Sequence, residues 1–267
     1  FSLEYDDGAV DVRDLTASYD GYDGRGDFTA TIETGGAVRF TSDVVVEGIP
    51  YEFTGRLEPD NSLEISGLYE VDARFYFGER EEIVFRASGD IPLPVNPTEA
   101  GADEGRLAFA ANGYFFSPED WNVSVDRLVA SGIPYGPVPA ATASLSGTFS
   151  PSGARLSSVG YEDPYSELAG SGVLSWDLDA LAGSAELSLA GEADEDGRAE
   201  SYDITASYAD GELSAEATAE LVPLLRLGVE TLRGSLSGSV GVDGPLDAPT
   251  IRVDAELVDG KFNNDAV

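Results

Sequence analysis

Two segments near the C-terminal end of the chain, 232–245 and 250–262, alternate apolar and polar residues almost without a break. In the first, Leu232, Leu236, Val240 and Val242 fall on one side, with Gly234 and Gly238 between them. In the second, Ile251, Val253, Ala255 and Leu257 fall on one side, against Arg252, Asp254 and Glu256. Side chains of an extended strand point alternately to opposite faces, so this pattern predicts a sheet with one apolar face. The rest of the chain repeats the pattern and offers almost no helix to cover that face. A sheet of this kind must bury its apolar side against itself, against a partner, or against lipid.

The alternation runs from end to end. Val38, Phe40, Val44 and Val46 share a side, opposed by Arg39, Thr41, Asp43 and Glu47. Tyr51, Phe53 and Leu57 follow, then Tyr69, Val71, Ala73, Phe75 and Phe77, then Ile83, Phe85, Ala87 and Ile91. Later come Val123 and Val125, then Ala143, Leu145 and Phe149, then Leu174, Trp176 and Leu178, and Leu213, Ala215, Ala217, Ala219 and Leu221. Turn signals punctuate these runs, among them Asp7-Gly8, Asp23-Gly24, Asp210-Gly211, Asp243-Gly244-Pro245 and Asp259-Gly260. At ordinary strand lengths this gives about 15 to 18 strands. Segment 91–106, rich in Pro, Gly and acid, reads as a long loop, and 133–139 as a second break. Neither divides the chain, so 1–267 reads as one continuous segment. One short helix is expected over 223–232, where Pro223 suits a first helical position and the leucines approximate one face.

Charge and missing residue types narrow the function. With 50 acidic and 15 basic residues the formal charge is −35, which excludes nucleic acid as a partner and disfavours adsorption to anionic headgroups. Cysteine and histidine are absent, so thiol catalysis, imidazole metal sites and His-activated nucleophiles are ruled out. No apolar run approaches the roughly 20 residues of a membrane-crossing helix. The first residues, FSLEYDDGAV, do not read as a secretion signal. Methionine is absent too, and we expect the chain to be a piece of a longer polypeptide whose anchor or export signal lies elsewhere.

Three clusters carry a sharper and a plainer reading. DGYDGRGD, 20–27, misses the spacing of a calcium loop and reads as a solvated hairpin turn, with the tripeptide Arg25-Gly26-Asp27 embedded in it. GEADEDG, 191–197, reads as an acidic turn. The aromatic series Tyr69, Phe75, Tyr76, Phe77 and Tyr114, Phe115, Phe116 fits either ordinary β core or a greasy surface that contacts a ligand, and alternation alone does not separate the two. No residue constellation points to catalysis, metal or cofactor.

Segment 221–262 resembles the repeat of the TamB/AsmA-like family of envelope proteins. The resemblance rests on Gly234, Leu236, Gly238, Val240, Val242, Gly244, Leu246, Pro249, Ile251, Val253, Leu257, Asp259 and Gly260, which follow a short Leu-rich segment. A glycine usual in the second strand of that pattern is replaced here by Asp254 or Ala255. The resemblance implies an elongated, curved antiparallel sheet folded into an open taco-like groove with an apolar interior. It implies a slice of a periplasmic protein of a diderm bacterium, anchored in the inner membrane. It further implies conduction of phospholipid acyl chains toward the outer membrane, and a TamA-like outer-membrane barrel as partner of other parts of the parent chain.

The expected fold is therefore all-β with at most one short helix, and the expected role is a non-enzymatic lipid conduit. Its lipid-groove residues would be Val44, Val46, Tyr51, Phe53, Phe75, Phe77, Phe85, Ile251, Val253 and Leu257. The alternative is a surface adhesin or passenger-like β-solenoid that binds proteins or glycans through outer loops. A carboxylate-based glycosidase stands third, for want of a specific pair of acids.

Overall fold

A computed structural model of the chain describes residues 2–6, 8–19, 22–78, 82–93, 105–135, 138–177, 179–194, 196–229 and 232–262. Eighteen strands belong to a single antiparallel sheet, and the chain falls into two units, Phe1–Val129 and Ala130–Val267. The first holds β1 (Ser2–Asp6), β2 (Ala9–Tyr19), β3 (Tyr22–Ile32), β4 (Val38–Val46), β5 (Ile49–Leu57), β6 (Ser62–Gly67), β7 (Asp72–Phe77), β8 (Ile83–Leu93) and β9 (Gly105–Ser117). Strand β10 (Asp120–Tyr135) begins in the first unit and ends in the second. The second unit continues with β11 (Val138–Ser150), β12 (Gly153–Glu162), β13 (Glu167–Asp177), β14 (Ala182–Gly191), β15 (Ser201–Ala209), β16 (Glu212–Pro223), β17 (Leu232–Pro245) and β18 (Thr250–Phe262). A four-residue 3-10 turn, Leu224–Leu227, lies between β16 and β17.

Within each unit, strands adjacent in sequence are adjacent in space, as short polar turns dictate. The β4–β5 and β15–β16 hairpins close through Glu47-Gly48 and Asp210-Gly211, both residues of each pair at positive φ, the geometry that matches the twist of antiparallel strands. The β6–β7 hairpin closes the same way through Tyr69 (φ 64°) and Glu70 (φ 57°). Tyr69 is thus a turn residue, not a strand residue as the alternation predicts. Gly67 N–H donates to the Val71 carbonyl at 2.9 Å, which fixes the turn, and the Tyr69 ring packs edge-on against Tyr51 at 6.1 Å.

Among the described strands, three of the bulges keep apolar residues together. Where their spacing slips from two to three, the partner strand advances only two. Val12 and Leu15 face Phe28 and Gly26, Leu156 and Val159 face Gly172 and Gly170, and Ala219 and Val222 face Gly238 and Leu236. An extra residue in one strand restores parity after the slip. At the third bulge Leu221 takes φ 54°, and Val222, not Leu221, joins the apolar face.

Other expectations are refined. The acidic segment 20–27 is mostly strand: Tyr22–Asp27 lie in β3, and Asp27 accepts the Asp14 N–H at 2.9 Å, while residues 20 and 21 fall outside the described residues. Within 91–106, β8 reaches Leu93 and β9 starts at Gly105, and the rest of the expected loop, 94–104, lies outside the described residues. Of the expected break at 133–139, residues 133–135 belong to β10 and 138–139 to β11, and 136–137 lie outside the described residues. The expected helix is the short 3-10 turn, ended by Gly228 in the left-handed conformation (φ 75°).

The polar face of the first unit carries Asp27, Asp43 and Glu52 directly opposite one another on β3, β4 and β5. Like charges so placed repel across the sheet, and salt screens them. Urea unfolding should therefore shift to higher midpoints as KCl is raised. Asp43→Asn should gain about 1 kcal/mol at low salt and little at high salt; an equal gain at both would contradict this reading.

Candidate functional site: one apolar face and a buried arginine cluster

Register places the apolar residues of successive strands in rows that cross the first unit. One row runs Ala30, Phe40, Gly55, Ile65, Ala73, Ala87, Ala111 from β3 to β9. A second runs Ile32, Val38, Leu57, Leu63, Phe75, Phe85, Gly113. Glycines in this face stand opposite large side chains. Gly55 lies under the Phe40 ring, and Gly67 and Gly89 face Phe53 and Phe109. A methyl group at Gly55 would fall inside the Phe40 ring, so the glycine is required by close approach.

The seven expected groove residues of this unit all lie on that face and are half-buried. They form two groups. Val44 stands opposite Tyr51, with Val46 and Phe53 two residues along their strands. Phe75 stands opposite Phe85, their rings stacked at 6.2 Å, with Phe77 beside them. Tyr51 does more than line the face: its hydroxyl donates to the Pro92 carbonyl at 2.7 Å, tying β5 to β8. Burial, with the Tyr69 phenol nearby, pushes the Tyr51 pKa up.

The second unit repeats the arrangement with smaller residues. One row runs Leu156, Gly172, Leu187, Ile204, Ala217, Val240, Val253 from β12 to β18. Ile251 and Leu257 lie on the same face of β18. These three expected groove residues are the most open of the ten, with Ile251 62% exposed, Val253 66% and Leu257 48%.

Sequence reasoning missed a cluster centred on Arg226, in the 3-10 turn. The side chain is only 10% exposed. Its Nε donates to Asp163 Oδ2 at 2.7 Å and Nη2 to Asp163 Oδ1 at 3.2 Å. Nη2 also donates to Ser166 Oγ, and Nη1 to Glu200 Oε1 and, at 2.9 Å, to the Tyr202 hydroxyl. All five N–H groups are thereby used. The guanidinium also lies 5.4 Å from the centre of the Tyr161 ring. Asp163 accepts the Tyr165 and Ser166 backbone N–H groups at 2.8 and 3.0 Å. Glu200 Oε1 accepts the Tyr202 hydroxyl at 2.7 Å, while its buried Oε2 has no hydrogen-bond partner among the described residues.

One residue therefore ties three turns at the same end of the unit: those after β12, before β15 and after β16. Tyr161 on β12 and Tyr202 on β15 belong to the apolar face, paired with Leu168 and Ala219. Strands three apart in a flat sheet are about 14 Å apart, yet one guanidinium reaches both. Leu168, Val222 and Leu224 are buried around it, at 3%, 7% and 6% exposure. The only sequence traces were an arginine inside a leucine run and a tyrosine two residues from an acid, at Tyr161/Asp163 and Glu200/Tyr202.

The electrostatics follow from this geometry. Burial alone would raise the Asp163 pKa, but the Arg226 hydrogen bonds and the two backbone N–H groups outweigh it and hold the carboxyl below its ordinary value. Burial and the hydrogen bond to Glu200 push the Tyr202 phenol up to about 12. Burial works against the charged Arg226, but its hydrogen bond to Asp163 and the charges around it hold its pKa above the ordinary value.

No family model matches this chain, and no curated protein or solved structure matches it either.

Removing the guanidinium strands two buried carboxylates. Arg226→Leu should cost about 3–5 kcal/mol in urea unfolding. Because the folded-state pKa of Asp163 is depressed, its stabilisation is present above the ordinary carboxylate pKa of about 3.9 and is lost as pH falls through the lower folded value. Asp163→Asn should therefore flatten the loss of stability in that acid range. An unchanged acid limb would show that this pair does not set it.

Proposed function

We propose that the chain is a lipid-shielding β module, with the acyl chains of phospholipid lying along the apolar face and the headgroups staying in water. The observation that carries this reading is the row register. Strand after strand, in both units, the apolar residues meet on one face, and on β18 that face is left open at Ile251, Val253 and Leu257. A chain of charge −35 gains nothing from exposed Ile251 and Val253 on adjacent rows unless something apolar covers them. Each acyl CH₂ withdrawn from water contributes about 0.8 kcal/mol. Neighbouring rows of similar residues would hold a chain about equally well, so it could slide with small barriers.

Two ties support a curved, groove-like arrangement of this face. Tyr51 draws β8 toward β5, and Arg226 draws the ends of β12 and β15 together, each by way of side chains on the apolar face. Bending toward the apolar side would turn it into the wall of a trough, the taco-like form implied by the resemblance of 221–262 to the TamB/AsmA-like repeat. On this reading the module belongs to a periplasmic bridge between the membranes of a diderm bacterium, supports outer-membrane biogenesis, and acts with a TamA-like barrel contacted by other parts of the parent chain. It needs no catalytic residue and no cofactor.

Native mass spectrometry after incubation with phosphatidylethanolamine/phosphatidylglycerol vesicles tests the reading. Wild type should carry phospholipid. Phe75→Asp and Val253→Asp should lose it while keeping the β-sheet circular dichroism of the wild type. A lipid-free wild type, or binding unaffected by both variants, would overturn it; unfolding of Phe75→Asp together with unchanged binding in Val253→Asp would mark the face as sealed core.

A further inference from the structure

The geometry points to a self-association surface on the polar face of the first unit, where β7, β8 and β9 meet the same strands of a second copy across a two-fold axis. This surface lies on the side of the sheet opposite the face assigned to acyl chains, and it stands whether or not that face binds lipid. Two observations carry it. The first is an apolar island. Tyr76, Val84 and Tyr114 stand directly opposite one another on the three strands, and Phe116 follows two residues after Tyr114 on the same side. All four are between 41% and 48% exposed. The second is an arginine pair without its acid. Arg74 and Arg86 stand directly opposite each other in the next row, and like charges so placed repel. On β4 and β5 the same problem is solved within the chain: Arg39 and Arg56 are opposite each other, and Glu33 pairs with both, at 2.8 and 3.1 Å. Arg74 has only long contacts to Glu64 (3.6 Å) and Asp72 (4.0 Å). Among the described residues Arg86 has no ion-pair or side-chain hydrogen-bond partner, and neither has Glu82.

Glu82 and Arg86 flank Val84 at equal distances, two residues to either side. The Glu82 side chain lies over Gly78, beside the island. A two-fold axis that crosses the strands at Val84 turns this spacing into complementarity. Each Val84 meets its counterpart, and each Arg86 comes to lie over Glu82 of the other copy, so that two ion pairs bracket one apolar centre. The acid missing from the Arg74–Arg86 pair is thus supplied by the second copy. Sheets packed face to face are about 10 Å apart, a gap that arginine and glutamate span from opposite sides. A patch whose acid and base are equidistant from its apolar centre is self-complementary, which is what a two-fold contact between identical chains requires. The overall charge of −35 opposes association, but at physiological salt it is screened beyond about 8 Å, and the contact itself is balanced in charge. The island is small, so the dimer is a weak, concentration-dependent one.

Sedimentation equilibrium of the lipid-free chain over a range of concentrations at physiological salt tests the inference. Wild type should show a monomer–dimer equilibrium. Arg86→Glu and Glu82→Arg should each raise the dimer dissociation constant about tenfold or more, because each sets like charges against each other at both ends of the contact. The two changes shift the net charge in opposite directions, so loss in both is not an effect of overall charge. An equimolar mixture of the two variants should recover the dimer, since every contact then joins an arginine to a glutamate, and the double variant Glu82→Arg/Arg86→Glu should recover it alone. These exposed positions leave the fold intact, which circular dichroism checks, and recovery in the mixture excludes misfolding of either variant. A wild type that stays monomeric throughout overturns the inference. So does a dimer that both single variants leave unchanged, or a mixture that remains monomeric. None of these outcomes bears on phospholipid binding, which is read separately by native mass spectrometry.

Discussion

Register is the constraint on which the rest of this structure depends. Each strand in a unit pairs with the next residue by residue, so the parity of a residue on one strand decides which face its neighbours occupy across the whole unit. A slip of one residue on any strand would turn its valines and phenylalanines outward and its carboxylates inward. The bulges at Val12/Leu15, Leu156/Val159 and Ala219/Val222 stand at places where the sequence makes such a slip, and they cancel it. The apolar face is continuous because these corrections were made.

A continuous face raises a second demand, because something must occupy it. In the first unit bulky rings fill the space over glycines, Phe40 over Gly55 and Phe53 against Gly67, which keeps the backbone covered while leaving most side chains half-buried. In the second unit alanine and glycine dominate, and the strongest packing is concentrated where the 3-10 turn returns to the sheet. The buried apolar residues among those described are few, and Ala37, Ala73, Ala108, Ala141 and Ala154 make up most of them. In the first unit most long side chains of the face are half-buried and the fully buried apolar residues are alanines, whereas in the second Leu168, Val222 and Leu224 are buried as deeply as the alanines.

Much of this was legible beforehand for a physical reason. Alternation, turn chemistry and the absence of long helical periodicity are local signals, and they gave the all-β class and most strand positions. The apolar residues of β4, β5, β7 and β8 share one face, as their alternation predicts, because parity alone decides that. Tyr69 was misplaced because its turn uses Tyr-Glu, which carries no glycine or asparagine signal, and tertiary contacts with Tyr51 hold it in the left-handed region. The span 20–27 reads as a turn because Asp and Gly are turn formers, yet within it Tyr22–Asp27 belong to β3, whose pairing with β2 and β4 on both sides overrides that propensity. Arg226 was invisible because its partners, Asp163 and Glu200, stand 63 and 26 residues away, and only the folded meander brings their turns together.

The central claim is that the face is bare until acyl chains cover it, and carbene footprinting measures that directly. With a diazirine reagent in lipid-free buffer, Ile251, Val253 and Leu257 should label strongly and lose most of that label when phospholipid is added, while the polar-face residues Arg252 and Asp254 label equally in both. Weak labelling of the three apolar residues before lipid is added, or strong labelling that lipid leaves unchanged, would contradict the account.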